Sequence, residues 1–219
     1  MQARTFALAV AMSVVINPSA LAQQTDKGLY LGLHVGQATI DFDNAATAAD
    51  LAAEGFGFTP ITTDDKDTAW KVLIGYRFHP NFAAEMAYVE AGEFAQRTTL
   101  TSLNGTPIPP TPIEATFETK NTFTVSGLGI LPLGAFSLYG KLGFYRTKIE
   151  VTASAPTLGI VDTESVTSDG VLFGAGVGYD VTKNVTVRGE FERLKEVGDK
   201  DRIGESDADF LSIGVIFRF

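Results

Sequence analysis

Residues 210–219, Phe-Leu-Ser-Ile-Gly-Val-Ile-Phe-Arg-Phe, are the last ten of the chain. In them Leu211, Ile213, Val215, Phe217 and Phe219 alternate with Ser212, Gly214 and Arg218, the period of two that sends successive side chains to opposite faces of a strand. Working back along the chain, Trp70, Val72, Ile74, Tyr76 and Phe78 alternate with Lys71, Leu73, Gly75, Arg77 and His79. Phe136, Leu138, Gly140, Leu142 and Phe144 alternate with Ser137, Tyr139, Lys141, Gly143 and Tyr145. Val171 to Asp180 repeats the pattern, and Val185, Val187 and Phe191 stand against Arg188, Glu190 and Glu192. Weaker candidates at Leu29 to Thr39, Phe82 to Phe94 and Phe117 to Leu131 bring the expected number of strands to eight.

The connections alternate in length. Tight turns are expected at Pro80-Asn81, Pro132 to Ala135 and Thr182 to Asn184. The other links, Asp43 to Thr68, Arg97 to Thr116, Ala153 to Ser168 and Asp199 to Ser206, are longer and rich in Gly, Pro, Ser, Thr and acids. Short turns at one end and long polar loops at the other are the signature of an eight-stranded antiparallel up-and-down transmembrane β-barrel.

Composition agrees. The 219 residues are 45% hydrophobic with 16 Phe, which excludes a disordered chain, and zero Cys excludes disulfides, thiolate nucleophiles and cysteine metal sites. Seventeen basic against 26 acidic residues leave no basic footprint for nucleic acid. Arg4, the apolar run Phe6 to Ile16 and Ala20-Leu21-Ala22 read as a signal peptide over residues 1–22, so residues 23–219 form the expected barrel domain, at net charge −10 once Arg4 is removed. The apolar run is too short for a membrane helix, and an exported chain without one enters a bilayer only as a closed barrel.

A soluble barrel turned inside out would show the same alternation, so other features must choose. Gly75, Gly143, Gly174, Gly176, Gly178 and Gly214 lie on the polar face, where a narrow eight-stranded lumen has little room. Tyr76, Phe78, Phe82, Phe136, Tyr179, Phe217 and Phe219 gather on the apolar face beside the short turns; Trp70, Tyr88, Phe144 and Phe191 are candidates for a second girdle. The chain ends on an aromatic, and the apolar faces carry no charge through their middles, where lipid would make one costly.

Phe136-Ser-Leu-Tyr-Gly-Lys-Leu-Gly143, Val185-Thr-Val-Arg-Gly-Glu-Phe-Glu192 and the closing stretch resemble the OmpA-like eight-stranded outer-membrane barrels, a family that includes small adhesin and serum-resistance barrels. The resemblance covers the chain after residue 22 and implies that Leu211, Ile213, Val215, Phe217 and Phe219 are the signal read by the barrel-assembly machinery. It implies localisation in the outer membrane among lipid and lipopolysaccharide, as a monomer. Full-length members continue into a peptidoglycan-binding domain; the expectation here is of the barrel domain only, so wall anchoring is not carried over.

The inner face carries the candidate chemistry. Lys71, Arg77, Lys141, Arg188 and Arg218 are predicted to point inward with Glu85, Glu190, Glu192 and Asp180. Charges in a narrow lumen must pair, and Glu85 and Glu190 with Arg77, Lys141 and Arg188 lead as a salt-bridged plug. The resemblance implies that such a network can gate a narrow, low-conductance pore; the alternative is that it only fills the lumen. No catalytic site, metal or cofactor is expected: His34 and His79 are the only histidines, and no Ser stands two positions from His34 to share its face. Asp64, Asp65 and Asp67, and the Asp199, Asp201, Glu205, Asp207, Asp209 cluster, lack the spacing of a known calcium loop and read as solvated acids. Thr101 to Pro112 is read as an extended exposed loop, and Ala45 to Glu54 as a short helix capped by Asn44. Either is a place for a host or phage ligand, which makes a surface adhesin or resistance factor the second reading.

Overall fold

The computed structural model describes residues 27–199 and 204–219; the candidate signal peptide lies outside them, as does Asp201. Its strands are β1 (Gly28–Ile40), β2 (Phe56–Phe58), β3 (Thr62–Asp64), β4 (Lys66–His79), β5 (Phe82–Glu90), β6 (Glu93–Leu103), β7 (Thr106–Leu133), β8 (Phe136–Ala155), β9 (Ile160–Asp180), β10 (Val185–Asp199) and β11 (Gly204–Arg218), with helix α1 (Asn44–Ala53) between β1 and β2. Eight of them, β1, β4, β5, β7, β8, β9, β10 and β11, pair antiparallel in that order, and β11 pairs back to β1 from Tyr30↔Arg218 to Ile40↔Ala208. The ring leaves no free edge at barrel level.

The faces fall as the alternation demands. Leu31, Val72, Ile74, Met86, Val125, Leu138, Leu142, Phe173 and Ile213 form an exposed outer band. Phe78 packs near Phe82 and Phe136 near Tyr179 at the short-turn rim, while Trp70, Tyr88 and Phe123 pack in series at the other. An apolar belt bounded by two aromatic girdles is a lipid-facing surface. Phe123 belongs to the upper girdle and was not among its sequence candidates.

The three short turns stand at Pro80-Asn81, Gly134-Ala135 and Val181 to Asn184. The long links differ from expectation. Thr101 to Pro112 is not a loop: β6 and β7 continue through it as a hairpin around Asn104 and Gly105, both at positive φ. Its prolines are tolerated because β7 is there an edge strand, and Pro109 and Pro110 fall in a register shift between Leu100 and Ser102. Phe82 to Phe94 is likewise two strands, broken at Gly92 (φ 82°), not one. Ala153 to Ser168 is almost entirely β8–β9 ladder, closed by a single turn at Pro156–Leu158. These hairpins rise well past the girdle. Helix α1 forms as expected, but Asp43 rather than Asn44 caps it, its carboxylate accepting from the Ala45 and Ala46 amides at 3.0 and 2.9 Å.

Three of these acids turn out to be structural. Asp67 accepts from the Thr68 and Glu93 amides at 2.7 and 2.8 Å, holding β4 to the start of β6. Asp209 takes Arg193 in a two-pronged bond, both arms 2.6 Å, and Asp207 takes Lys195 at 2.5 Å. Among the described residues no three acids or histidines converge on a metal position. The Lys195 bond, then the Glu196 amide, holds the Asp207 carboxyl below its usual range. A lowered carboxylate stabilises the fold above its ordinary value, about 4, and that contribution fades as pH falls through the folded value. Hydrogen-exchange protection of the Glu196 amide is therefore expected to fall below about pH 4; a protection factor flat down to pH 2 would contradict this.

Candidate functional site

The inward positions of the ring bring charges together because period two aims them at one axis. Lys71 from β4, Glu85 from β5, Lys141 from β8 and Arg188, Glu190 and Glu192 from β10 are all buried, Lys71 at 1% exposure. Lys141 Nζ sits 3.0 Å from Glu85, 3.0 Å from Glu190 and 2.9 Å from Glu192. Lys71 pairs with Glu190 and Glu192, and Arg188 with Glu85 at 2.5 Å. Three cations meet three carboxylates. That neutrality lets the cluster be buried, since each unpaired ion would cost several kcal/mol in desolvation.

Two tyrosines complete the cluster. Tyr30 donates to Glu85 at 2.9 Å and Tyr139 to Glu190 at 2.7 Å, and the Arg188 guanidinium lies over the Tyr139 ring at 4.8 Å. Their rings explain the inner glycines. A Cβ on Gly75 would meet the Tyr30 ring at 2.2 Å, and one on Gly176 would meet the Tyr139 hydroxyl at 2.2 Å. These strands carry glycine so that a neighbouring strand can lay an aromatic across them.

Apolar layers lie on both sides. Toward the short turns Leu73, Leu128, Ile130 and Ile216 fill the lumen around the tyrosine rings. Toward the long hairpins Ala38, Val89, Phe94 and Phe210 do so, backed by Phe42 and Phe117, and Phe210 lies 5.3 Å from the Lys71 ammonium. Between this layer and Glu192 remains a cavity of about 40 Å³ bordered by Thr119, Thr122, Thr124 and Thr147. It has room for one or two waters.

The sequence-predicted members divide into two groups. Lys71, Glu85, Lys141, Arg188 and Glu190 meet in one cluster, and Glu192 joins them. Arg77 lies nearer the short turns, donating Nη2 to the Pro80 carbonyl at 2.5 Å. Arg218 forms a separate pair with Asp180 at the same rim, shared with Thr186. Each stands beyond Leu73 or Ile216 on its own strand, toward the short turns. Leu211, Ile213, Phe217 and Phe219 of the closing strand face outward and exposed, and Val215 is half-buried.

His34 does meet a serine, though not on its own strand. Ser212, brought across by the β1–β11 register, lies 3.3 Å from Nδ1, and both residues are buried. His34 Nε2 has no hydrogen-bond partner among the described residues and both side chains are buried, so the pair stands without the orienting acid of a catalytic triad. His79 accepts from the Asn81 amide at 3.2 Å, a turn-capping role.

Comparison with known proteins fits this geometry. Residues 24–219 match the family model described as OmpA-like transmembrane domain. Outer membrane protein A of Klebsiella pneumoniae is 25% identical over 146 residues, 66% of this chain and 39% of that protein, so the chain spans well under half of that relative's length. Among solved structures, OprG from Pseudomonas aeruginosa is similar with a TM-score of 0.52 at 17% identity, over 90% of this chain and 98% of that one. The attachment invasion locus protein of Yersinia pestis, Ail, solved with the heparin analogue sucrose octasulfate, is similar with a TM-score of 0.50 at 16% identity, over 89% and 99%.

Proposed function

Because this chain belongs to the OmpA-like transmembrane domain family of outer-membrane β-barrels, we propose that it serves envelope integrity as a monomeric barrel with a plugged lumen, passing at most a narrow, gated, low-conductance current. The neutral cluster of three cations and three carboxylates between two apolar layers carries this reading. Planar-bilayer recording tests it, with insertion confirmed by a heat-dependent gel shift. The wild-type protein is expected to be silent or to open rarely to a small level, and Arg188→Ala and Glu190→Ala to open more often. A large steady wild-type current would refute the plug.

The same reading assigns residues 1–22 as a signal peptide, checked by N-terminal sequencing of the mature protein at Gln23, and the closing strand as the assembly signal. Its surroundings are outer-membrane lipid and lipopolysaccharide; Arg146 and Lys148 stand exposed on β8 beyond Phe144, and their long side chains suit lipid phosphates. It is not an enzyme, so deleting its gene leaves lipid A composition unchanged.

A second reading, a surface adhesin or serum-resistance factor, is favoured by the β8–β9 hairpin, which holds Leu158, Ile160 and Val161 in the open beyond the membrane. The attachment protein whose barrel this one resembles lends it weight. Replacing residues 156–161 with Gly and Ser would lower host-cell binding or serum survival under this reading and change neither under the first.

A further inference from the structure

Above the Phe94 layer the hairpins and α1 border a second cavity, open to the outside, of about 270 Å³ that the plug does not use. Leu51 of α1, Ile61, Ile113 and Ala115 of β7 and Ala155 and Ile160 of the β8–β9 hairpin wall it. Helix α1 is fixed against it by the Gln96 amide, which donates to Asn44 at 2.8 Å.

The polar groups on its border decide the ligand. Arg97 is spent on Glu114, at 2.7 Å through Nε and 2.6 Å through Nη2. Asp162 borders the cavity across from Ala153 and makes no ion pair with a described residue. The border thus carries one surplus negative charge over aliphatic walls. We infer that this extracellular cavity binds a small hydrophobic amine, its apolar body against Ile113 and Ile160 and its ammonium on Asp162. The volume lies at the low end for small-molecule sites and suits a single ring or short alkyl chain. A carboxylate of the same shape would face the surplus charge and be rejected.

The test is methyl NMR of the full chain in lipid nanodiscs, titrated with 2-phenylethylamine, its neutral isostere 2-phenylethanol and the anion 3-phenylpropionate. The amine is expected to shift the Ile61, Ile113 and Ile160 methyls saturably and to bind about ten-fold more tightly than the alcohol, the share of a charge-assisted hydrogen bond. Asp162→Asn should bring the amine down to the alcohol's affinity, and Ala115→Phe should fill the cavity and abolish both. Gel shift shows that each variant is folded. Equal binding of amine and alcohol, preference for the anion, or shifts no larger than those of the lipid-facing Ile74 and Ile213 would each overturn the inference. None of these outcomes depends on whether the lumen below conducts.

Discussion

Glu190→Ala is expected to destabilise the barrel by about 3–5 kcal/mol, the cost of leaving buried charge unpaired. Glu190 holds Lys71, Lys141 and the Tyr139 hydroxyl at once, so its removal leaves three cations to Glu85 and Glu192. A shift of the urea midpoint in lipid vesicles measures the loss. Glu190→Gln, which keeps the volume and a partner for Tyr139, should lose less. Joining Glu190→Met to Lys71→Met should recover part of the stability, because removing both partners of a buried pair costs less than orphaning one. The contrast is Glu114→Ala at the exposed Arg97 pair, where about 1 kcal/mol or less is expected. If Glu190→Ala stayed within 1 kcal/mol of wild type, water would have to reach the cluster and the plug would be open.

Face was legible in the sequence, and register was not. Lys71, Glu85, Lys141, Arg188 and Glu190 each follow from period two within one strand, and all five point inward together. Which of them meet depends on how distant strands are staggered when the ring closes. Arg77 is on the same face as Lys71 yet three levels lower, and nothing local distinguishes them. Glu192 was on the right face, two residues beyond Glu190, and the stagger that brings Lys71 and Lys141 near both made it a partner. Ser212 was invisible to a search along β1 because it reaches His34 from β11, 178 residues away. Proline misled for a physical reason: it argues against a central strand, whereas β7 passes from central to edge as it leaves the membrane. The tyrosine–glycine pairs were half visible, as glycines on a face where lumen space is short, with the rings that fill the space supplied by neighbouring strands.

The lipid assignment of the outer face makes a second large prediction. Ile74 lies midway between Trp70 and Phe78 on β4, outward and 45% exposed, opposite Leu31 and Met86. On a water-facing surface Ile74→Arg would change stability by no more than about 0.5 kcal/mol. At the middle of a bilayer an arginine costs about 2–4 kcal/mol, falling toward zero near the interface. Thr167→Arg on the exposed stretch of β9 above the girdle is the matched control, since it adds the same side chain beyond the acyl chains. Reversible unfolding from vesicles is expected to separate the two variants by at least about 2 kcal/mol. If they unfold together, the band between the two girdles does not face lipid. The outward aromatic pairs Trp70–Tyr88 and Phe136–Tyr179 would then have to be explained by a protein surface covering them.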